Sequence, residues 1–474
     1  MNELSVRAAA REHPRRQALV VDGEPWSFRR LAARVEEAAA WLARRLPERP
    51  GIFALVGRSD LGTLLLLYAA MELGRTVALL HPRWPETERD RLVGDLGVGG
   101  WIDARELELN AGSSALSTPG VDSESILAVV PTSGTSGRPK AVALSRRAFL
   151  ASAAGSARNL GWHAGDRWLL SLPLAHVGGL SIVTRCLIAR RTVVVPPPTD
   201  GFDAAAAGRR IERRRITLLS LVPTMLRRLL DLGDWSPPAH LRAILLGGAA
   251  AAPALLAETA DRGWPVLTTY GLTEACSQVA TQRSGTVQRG ELGCGELLPG
   301  VEARICEGVL ELRGPILMSG YLPAARPGAG LDPEGWLRTG DRARFDEQGH
   351  LFLLGRSDEL IITGGENVDP REVEEVLKEH PRVAAACVVG VADRDWGEVV
   401  AAAVVPAPGG EPPTPEELRR AVRARLAAYQ CPRRWCLLAT LPTTATGKVD
   451  RRAVAGLAAG MRGEEPARPG ESGR

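Results

Sequence analysis

Lysine is rare in this chain. Of 59 basic residues only Lys140, Lys378 and Lys448 are lysines. Two of them close Gly- and Thr-rich stretches: Lys140 follows Pro131-Thr132-Ser133-Gly134-Thr135-Ser136-Gly137-Arg138-Pro139, and Lys448 follows Pro442-Thr443-Thr444-Ala445-Thr446-Gly447. Gly134 and Gly137 let the backbone come close to a ligand, and N–H groups outside regular pairing can face phosphate oxygens. Thr132, Ser133, Thr135 and Ser136 add hydroxyl donors. An ammonium on a flexible stem adds a compact charge where arginine would bring a planar fork. This set suits phosphate binding. A plain Ser/Gly surface turn is the alternative, but the apolar strand before the loop and the lysine after it favour a ligand. The GxxxxGK[ST] spacing is absent and Pro139 precedes the lysine, which speaks against a P-loop kinase. Lys378 lies four residues after Glu374 in a helical pattern and is expected to form a surface ion pair.

The elements that must position these residues read as α/β. Short apolar runs at Ile126–Val130, Trp168–Leu172, Thr192–Val195, Ile216–Val222, Ala243–Leu246 and Val266–Thr269 are expected as buried strands. Helical patterns such as Arg146–Asn159 and Thr224–Leu232 alternate with them, which implies a largely parallel sheet. From 291 to 355, short runs punctuated by Gly and Pro indicate a β-rich subdomain. A small α+β unit should follow. Asp369-Pro370-Arg371-Glu372 predicts a helix start with a capping box, and Thr414-Pro415-Glu416-Glu417 predicts another start. The expected division is a large N-terminal domain of layered α/β subdomains over 1–355, a hinge at 356–358, a mobile C-terminal domain over 359–458, and a disordered tail over 459–474.

Bulk properties set limits. At 474 residues the chain needs two to four domains or subdomains. Net charge is +4, with acidic and basic residues interspersed. That gives no reason to expect nucleic acid as a partner. Seven scattered cysteines, an odd number, suit reduced thiols better than a disulfide framework. The start lacks an apolar signal core, and the longest apolar run, Leu64–Met71, is too short to cross a bilayer. A cytoplasmic protein without stable membrane insertion is the expectation, and a homodimer is left open.

The loop ending at Lys140 resembles the phosphate-binding signature of the acyl-adenylate-forming superfamily, which comprises acyl-CoA synthetases, peptide-synthetase adenylation domains and luciferases. Further matches follow in the family's order across roughly residues 20 to 455. Leu172-Pro173-Leu174-Ala175-His176-Val177-Gly178-Gly179 looks like the acyl-pocket segment, with His176 by the activated carboxylate and Ala175 where relatives usually carry an aromatic residue. Gly247-Gly248-Ala249 looks like the adenine-side loop. In Tyr270-Gly271-Leu272-Thr273-Glu274, the resemblance implies that Tyr270 stacks near adenine, Thr273 contacts the α-phosphate and Glu274 holds Mg²⁺. A hard cation suits carboxylate and phosphate oxygens. Asp341 would accept from the ribose hydroxyls with Arg356 assisting. Asp358 matches the hinge, and Gly364, Gly365 and Glu366 match part of the pantetheine tunnel. Lys448 would bridge the substrate carboxylate and the α-phosphate, offsetting charge where one anion attacks another.

Within the superfamily the chain is most similar to the ligases that join o-succinylbenzoate to CoA in menaquinone synthesis. That resemblance rests on the compact region before the phosphate loop and on the segments Leu172–Arg185, Ser220–Thr224 and Pro139–Val142. It implies ATP, Mg²⁺ and CoA as cofactor and co-substrates, and an acid with a second carboxylate. Arg185, with a hydrogen bond from Ser220, could carry that second charge; a surface role is the plainer reading of Arg185. Another aryl or fatty acid is the alternative substrate. No acidic residue of the kind that holds an amino acid's amino group stands out after His176. A nucleotide sensor without catalysis fits less well with Glu274, Asp341, Arg356 and Lys448 all present.

Overall fold

The computed structural model describes residues 3–46, 51–109, 122–132, 140–197, 201–284, 293–323, 328–444 and 449–460. The chain is mixed α/β and divides into two compact units. The first holds Met1–Thr339 and Arg344–Leu353, and the second holds Gly340–Ala343 and Leu354–Arg474. The division therefore falls inside the strands Leu337–Phe345 and Leu351–Arg356.

The first unit contains two mainly parallel sheets. One runs in the order Gly320–Leu322, Lys140–Ser145, Ile126–Thr132, Thr76–Leu80, Ile52–Val56, Trp101–Ile102. Its last four strands are parallel, and the first two are antiparallel additions. The other has nine strands. Its parallel centre runs Val266–Leu272, Ala243–Leu246, Leu218–Leu221, Arg167–Leu169, Thr192–Val195, Gln17–Val21. The strand run expected from 126 onward is thus shared between two sheets, with Ile126–Thr132 beside strands from the N-terminal hundred residues. Such strands are buried on both faces, which is why they read as unbroken apolar runs.

The longest apolar stretch lies in the helix Leu61–Glu72, whose residues from Thr63 to Glu72 are all buried. A helix apolar on all sides belongs in a core. No helix among the described residues is long and apolar enough to cross a membrane. The helix Val177–Ala189 is similarly buried from Gly179 to Leu187, and it brings Arg185 inside with it.

In the second unit, the paired strands Val383–Asp393 and Gly397–Pro406 serve two cores. Val388, Val400, Ala402 and Val404 face the helices Pro370–Lys378 and Pro415–Arg423. Val389, Val391, Val399 and Ala401 face the helix Arg451–Ala459. This is the period-two alternation of a strand covered on both sides.

Both predicted helix starts form, but the capping box lies at the second and not at Asp369, where it is expected. Thr414 and Glu417 make the full reciprocal pair. Asp369 caps its helix through Arg371 N, but Glu372 does not reach back. Its carboxylate instead accepts from Gln430 Nε2 at 2.8 Å, because a long-range amide donor competes for it. Lys378 does pair with Glu374, at 3.6 Å.

Candidate active site

The phosphate side is built on paired strands. Thr132 ends Ile126–Thr132 and lies opposite Lys140, which begins Lys140–Ser145. Ser133, Gly134, Thr135, Ser136 and Gly137, which join them, lie outside the described residues. Lys140 is exposed, and its Nζ stands 4.9 Å from the centre of the Tyr321 ring. Tyr321 sits on the neighbouring strand, opposite Val142. Its hydroxyl donates to Glu274 Oε1 at 3.0 Å. The Glu274 backbone is held as well, since its carbonyl accepts from Met318 N at 2.8 Å. Lys140, Tyr321 and Glu274 thus form one contact chain from the phosphate loop to the expected metal ligand.

Glu274 follows Val266–Leu272 in a short 3-10 turn, Thr273–Ala275. Gly271 is required there. A Cβ on it would lie 1.9 Å from the Ser277 carbonyl oxygen, because the strand turns back on itself across Gly271 and Gln278. Tyr270 is buried beside it. At the end of the next parallel strand, Gly247 packs on Thr269, and Gly248 has φ +80°, a conformation that favours glycine. Ala249 follows on the exposed side. These loops leave the carboxyl ends of adjacent parallel strands, where α/β sheets bind ligands.

A lone Glu274 carboxylate, oriented by a neutral hydroxyl, fits a cation that brings phosphate oxygens and waters as its other ligands. No cluster of three or more acidic, His or Cys side chains among the described residues could hold a metal by itself.

On the acyl side, His176 directly precedes the helix Val177–Ala189. Ala175 is buried, and a Cβ placed on Gly57 would lie within 3.0 Å of its backbone and its Cβ. Two small residues therefore meet where a larger side chain at 175 would need room. His81 lies next to His176, with ring centres 5.2 Å apart.

Arg185 is 3% exposed. Its Nη1 donates to Gln278 Oε1 at 2.6 Å and its Nη2 to Ser152 Oγ at 3.1 Å. Nε has no partner. No carboxylate among the described residues pairs with it, and burial pushes its pKa down to about 10. It remains a cation at neutral pH, buried without an acid. The plainer reading of Arg185, a surface arginine, is not what the structure shows. Ser220 is engaged elsewhere: its hydroxyl accepts from Trp168 Nε1 at 3.2 Å, and its carbonyl accepts from Ser171.

In the second unit, Arg356 serves two acids. Nε and Nη2 grip Asp358 at 2.7 and 3.1 Å, while Nη1 donates to Asp341 Oδ1 at 3.3 Å. The Asp358 hydrogen bonds, followed by the charges of both acids, raise the Arg356 pKa against desolvation. Gly364 and Gly365, at φ +58° and +88°, turn the hairpin between Ile361–Thr363 and Glu366–Val368. Both positive values suit a two-residue turn. Glu366 is exposed on its far side. Lys448 lies outside the described residues.

Two residues of this site escaped sequence reasoning. Tyr321 is one of only four tyrosines, but only sheet pairing reveals its reach to Glu274. His81 follows an apolar strand without a motif of its own.

The family described as AMP-binding enzyme matches residues 6–322, and the AMP-binding enzyme C-terminal domain matches 372–448. A 2-succinylbenzoate–CoA ligase of Bacillus pumilus (strain SAFR-032) is 34% identical over 467 residues, covering 92% of this chain and 94% of that protein. Among solved structures, the o-succinylbenzoate CoA synthetase of Bacillus subtilis with its acyl-adenylate intermediate has a TM-score of 0.87 at 32% identity, covering 97% of this chain and 99% of that one. The Bacillus subtilis synthetase with ATP and magnesium ion has a TM-score of 0.82 at 31% identity, covering 94% and 97%.

Proposed function

We propose, from the premise that this chain belongs to the AMP-binding enzyme family, that it joins o-succinylbenzoate to CoA with consumption of ATP. The chain is an AMP-forming acid–CoA ligase; the choice of acid and the residue roles are our reading. In the first half-reaction a carboxylate oxygen attacks the α-phosphorus and pyrophosphate leaves. In the second, the CoA sulfur attacks the acyl carbon, AMP leaves and the thiol proton is released.

The roles are those that the family resemblance implies. The loop from Thr132 to Lys140 would hold the terminal phosphates, and Tyr270, Gly247, Gly248 and Ala249 the adenine side. Thr273 would reach the α-phosphate and Asp341 the ribose. Mg²⁺, held by Glu274, would offset charge on the leaving pyrophosphate. Lys448 would neutralise the two anions as they meet. The Gly364-Gly365-Glu366 hairpin would serve CoA in the second step, with the exchange between steps made at Asp358.

The observation that carries the choice of acid is Arg185. A buried guanidinium whose Nε and charge find no partner or acid among the described residues is costly unless a ligand supplies the anion. An acid with a second carboxylate does so, and o-succinylbenzoate is named in the relatives above. The test is acid-dependent AMP release with CoA, comparing o-succinylbenzoate, benzoate and medium-chain acids. Turnover confined to the monoacids would overturn the choice of acid. For the half-reactions, Lys448→Ala should abolish adenylate formation and spare thioester formation from supplied adenylate.

A further inference from the structure

His81 sits at a ligand-binding edge of the fold without a role so far. It directly follows the strand Thr76–Leu80, which is parallel to Ile126–Thr132 with Ala78 opposite Val129. Continuing that register sets His81 level with Thr132, where the phosphate loop begins. His81 is therefore at the carboxyl edge of the parallel strands, level with Thr132. Its ring centre is 5.2 Å from that of His176, the residue that leads the acyl-pocket helix.

The ring is 2% exposed. Its Nδ1 accepts from the Arg83 backbone N–H at 3.2 Å. That bond requires a lone pair on Nδ1, so in the neutral ring the proton is on Nε2. Nε2 is buried and has no hydrogen-bond partner among the described residues. Burial first, then the charges of His176, Arg83 and Arg89, disfavour a second proton. The ring is a neutral donor that no acceptor among the described residues meets. Buried polar groups are nearly always satisfied, and each exception needs an explanation.

We infer that His81 is a substrate-positioning residue whose Nε2–H donates a hydrogen bond to an oxygen of the bound carboxylic acid. This rests on the reading of the His176 region as the acyl site. A neutral donor would orient the acid without adding a charge to compete with Lys448, which must neutralise the reacting oxygen. It would also favour acids that present an acceptor at this point, since a site built to donate discriminates against ligands lacking one.

The test compares the unmodified chain with His81→Phe, which keeps a ring and loses the donor, and His81→Gln, which keeps an N–H. With whichever acid the unmodified chain turns over best, His81→Phe should lower kcat/KM for the acid about tenfold or more. The KM for MgATP should stay within about twofold, and His81→Gln should recover most of the loss. An acid kcat/KM for His81→Phe within twofold of the unmodified value, or an equal rise in KM for acid and MgATP, would overturn the inference and leave the ligase reading standing. Absence of turnover with every acid would overturn both. A ¹⁵N-histidine spectrum of the unmodified chain needs no substitution. Added acid should move the protonated Nε2 resonance of His81, and an unmoved resonance would exclude the contact.

Discussion

The Tyr321 hydroxyl donates a 3.0 Å hydrogen bond to Glu274 Oε1, and Lys140 Nζ stands 4.9 Å from the centre of the same ring. One side chain thus sets the direction of the expected metal ligand and offers its face to the phosphate-loop cation. A hydrogen bond to a charged group contributes about 1.5–3 kcal/mol. Tyr321→Phe should therefore weaken the apparent affinity for Mg²⁺ about tenfold in an acid-dependent AMP assay, because the ring stays and only the donor is lost. Magnesium titrations of the two proteins that superimpose would show that Glu274 is oriented by other contacts.

Arg185→Met separates anion recognition from catalysis. If Arg185 holds the second carboxylate, kcat/KM for o-succinylbenzoate should fall about a hundredfold while benzoate is activated no worse. The cost in stability should be small. The substitution removes a charge buried without an acid among the described residues, which offsets the donors lost to Gln278 Oε1 and Ser152 Oγ. Both points are read from steady-state kinetics and a melting curve. Parallel losses with both acids would assign Arg185 to packing alone.

Acid should destabilise the first unit through His81. Burial first, then the charges of His176, Arg83 and Arg89, lower its pKa from 6.5 to about 4. The unfolded chain therefore binds the proton more readily than the folded one. The resulting stability is complete above pH 6.5 and is lost as pH falls from 6.5 toward 4. The loss is on the order of 3 kcal/mol across that window. Melting curves of the unmodified chain and His81→Gln should converge in acid. Curves that keep a constant separation across the window would show that this ring does not titrate on unfolding.

Gly271→Ala should be strongly destabilising. Its Cβ would lie 1.9 Å from the Ser277 carbonyl oxygen, and both are backbone-anchored, so neither can move aside alone. Overpacking of this kind costs about 1–3 kcal/mol or more. The melting temperature should drop and nucleotide binding should weaken with it, since Glu274 lies three residues on. An unchanged melting temperature would mean the turn relaxes freely.

Legibility followed the range of the interactions. Strands fully buried in parallel sheets were plain as apolar runs, and Thr192–Val195 and Ala243–Leu246 fall as expected. The run expected at Trp168–Leu172 ends as a strand at Leu169, shortly before Pro173, which cannot donate to a ladder. Which sheet a strand joins is decided by partners far away in sequence. That is why Ile126–Thr132 pairs with Thr76–Leu80 instead of the strands that follow it. The same limit applies at the site. Loop glycines and acids with local spacing could be found in advance, whereas Tyr321 reaches Glu274 across 47 residues. The Glu372 carboxylate illustrates the converse: local spacing proposed a capping partner, and a distant Gln430 took it.

The scarcity of lysine has a practical side. A ligase that makes activated acyl groups generates acylating agents, and amines are their common protein targets, whereas guanidinium groups are far less nucleophilic because they stay protonated. With 56 of the 59 basic residues as arginine, this chain presents only three side-chain amines. One of them, Lys378, is partnered by Glu374. An amine-directed reagent applied during turnover would therefore report on very few positions. Two of these, Lys140 and Lys448, are the ones expected on ATP, so protection by nucleotide could be read one residue at a time.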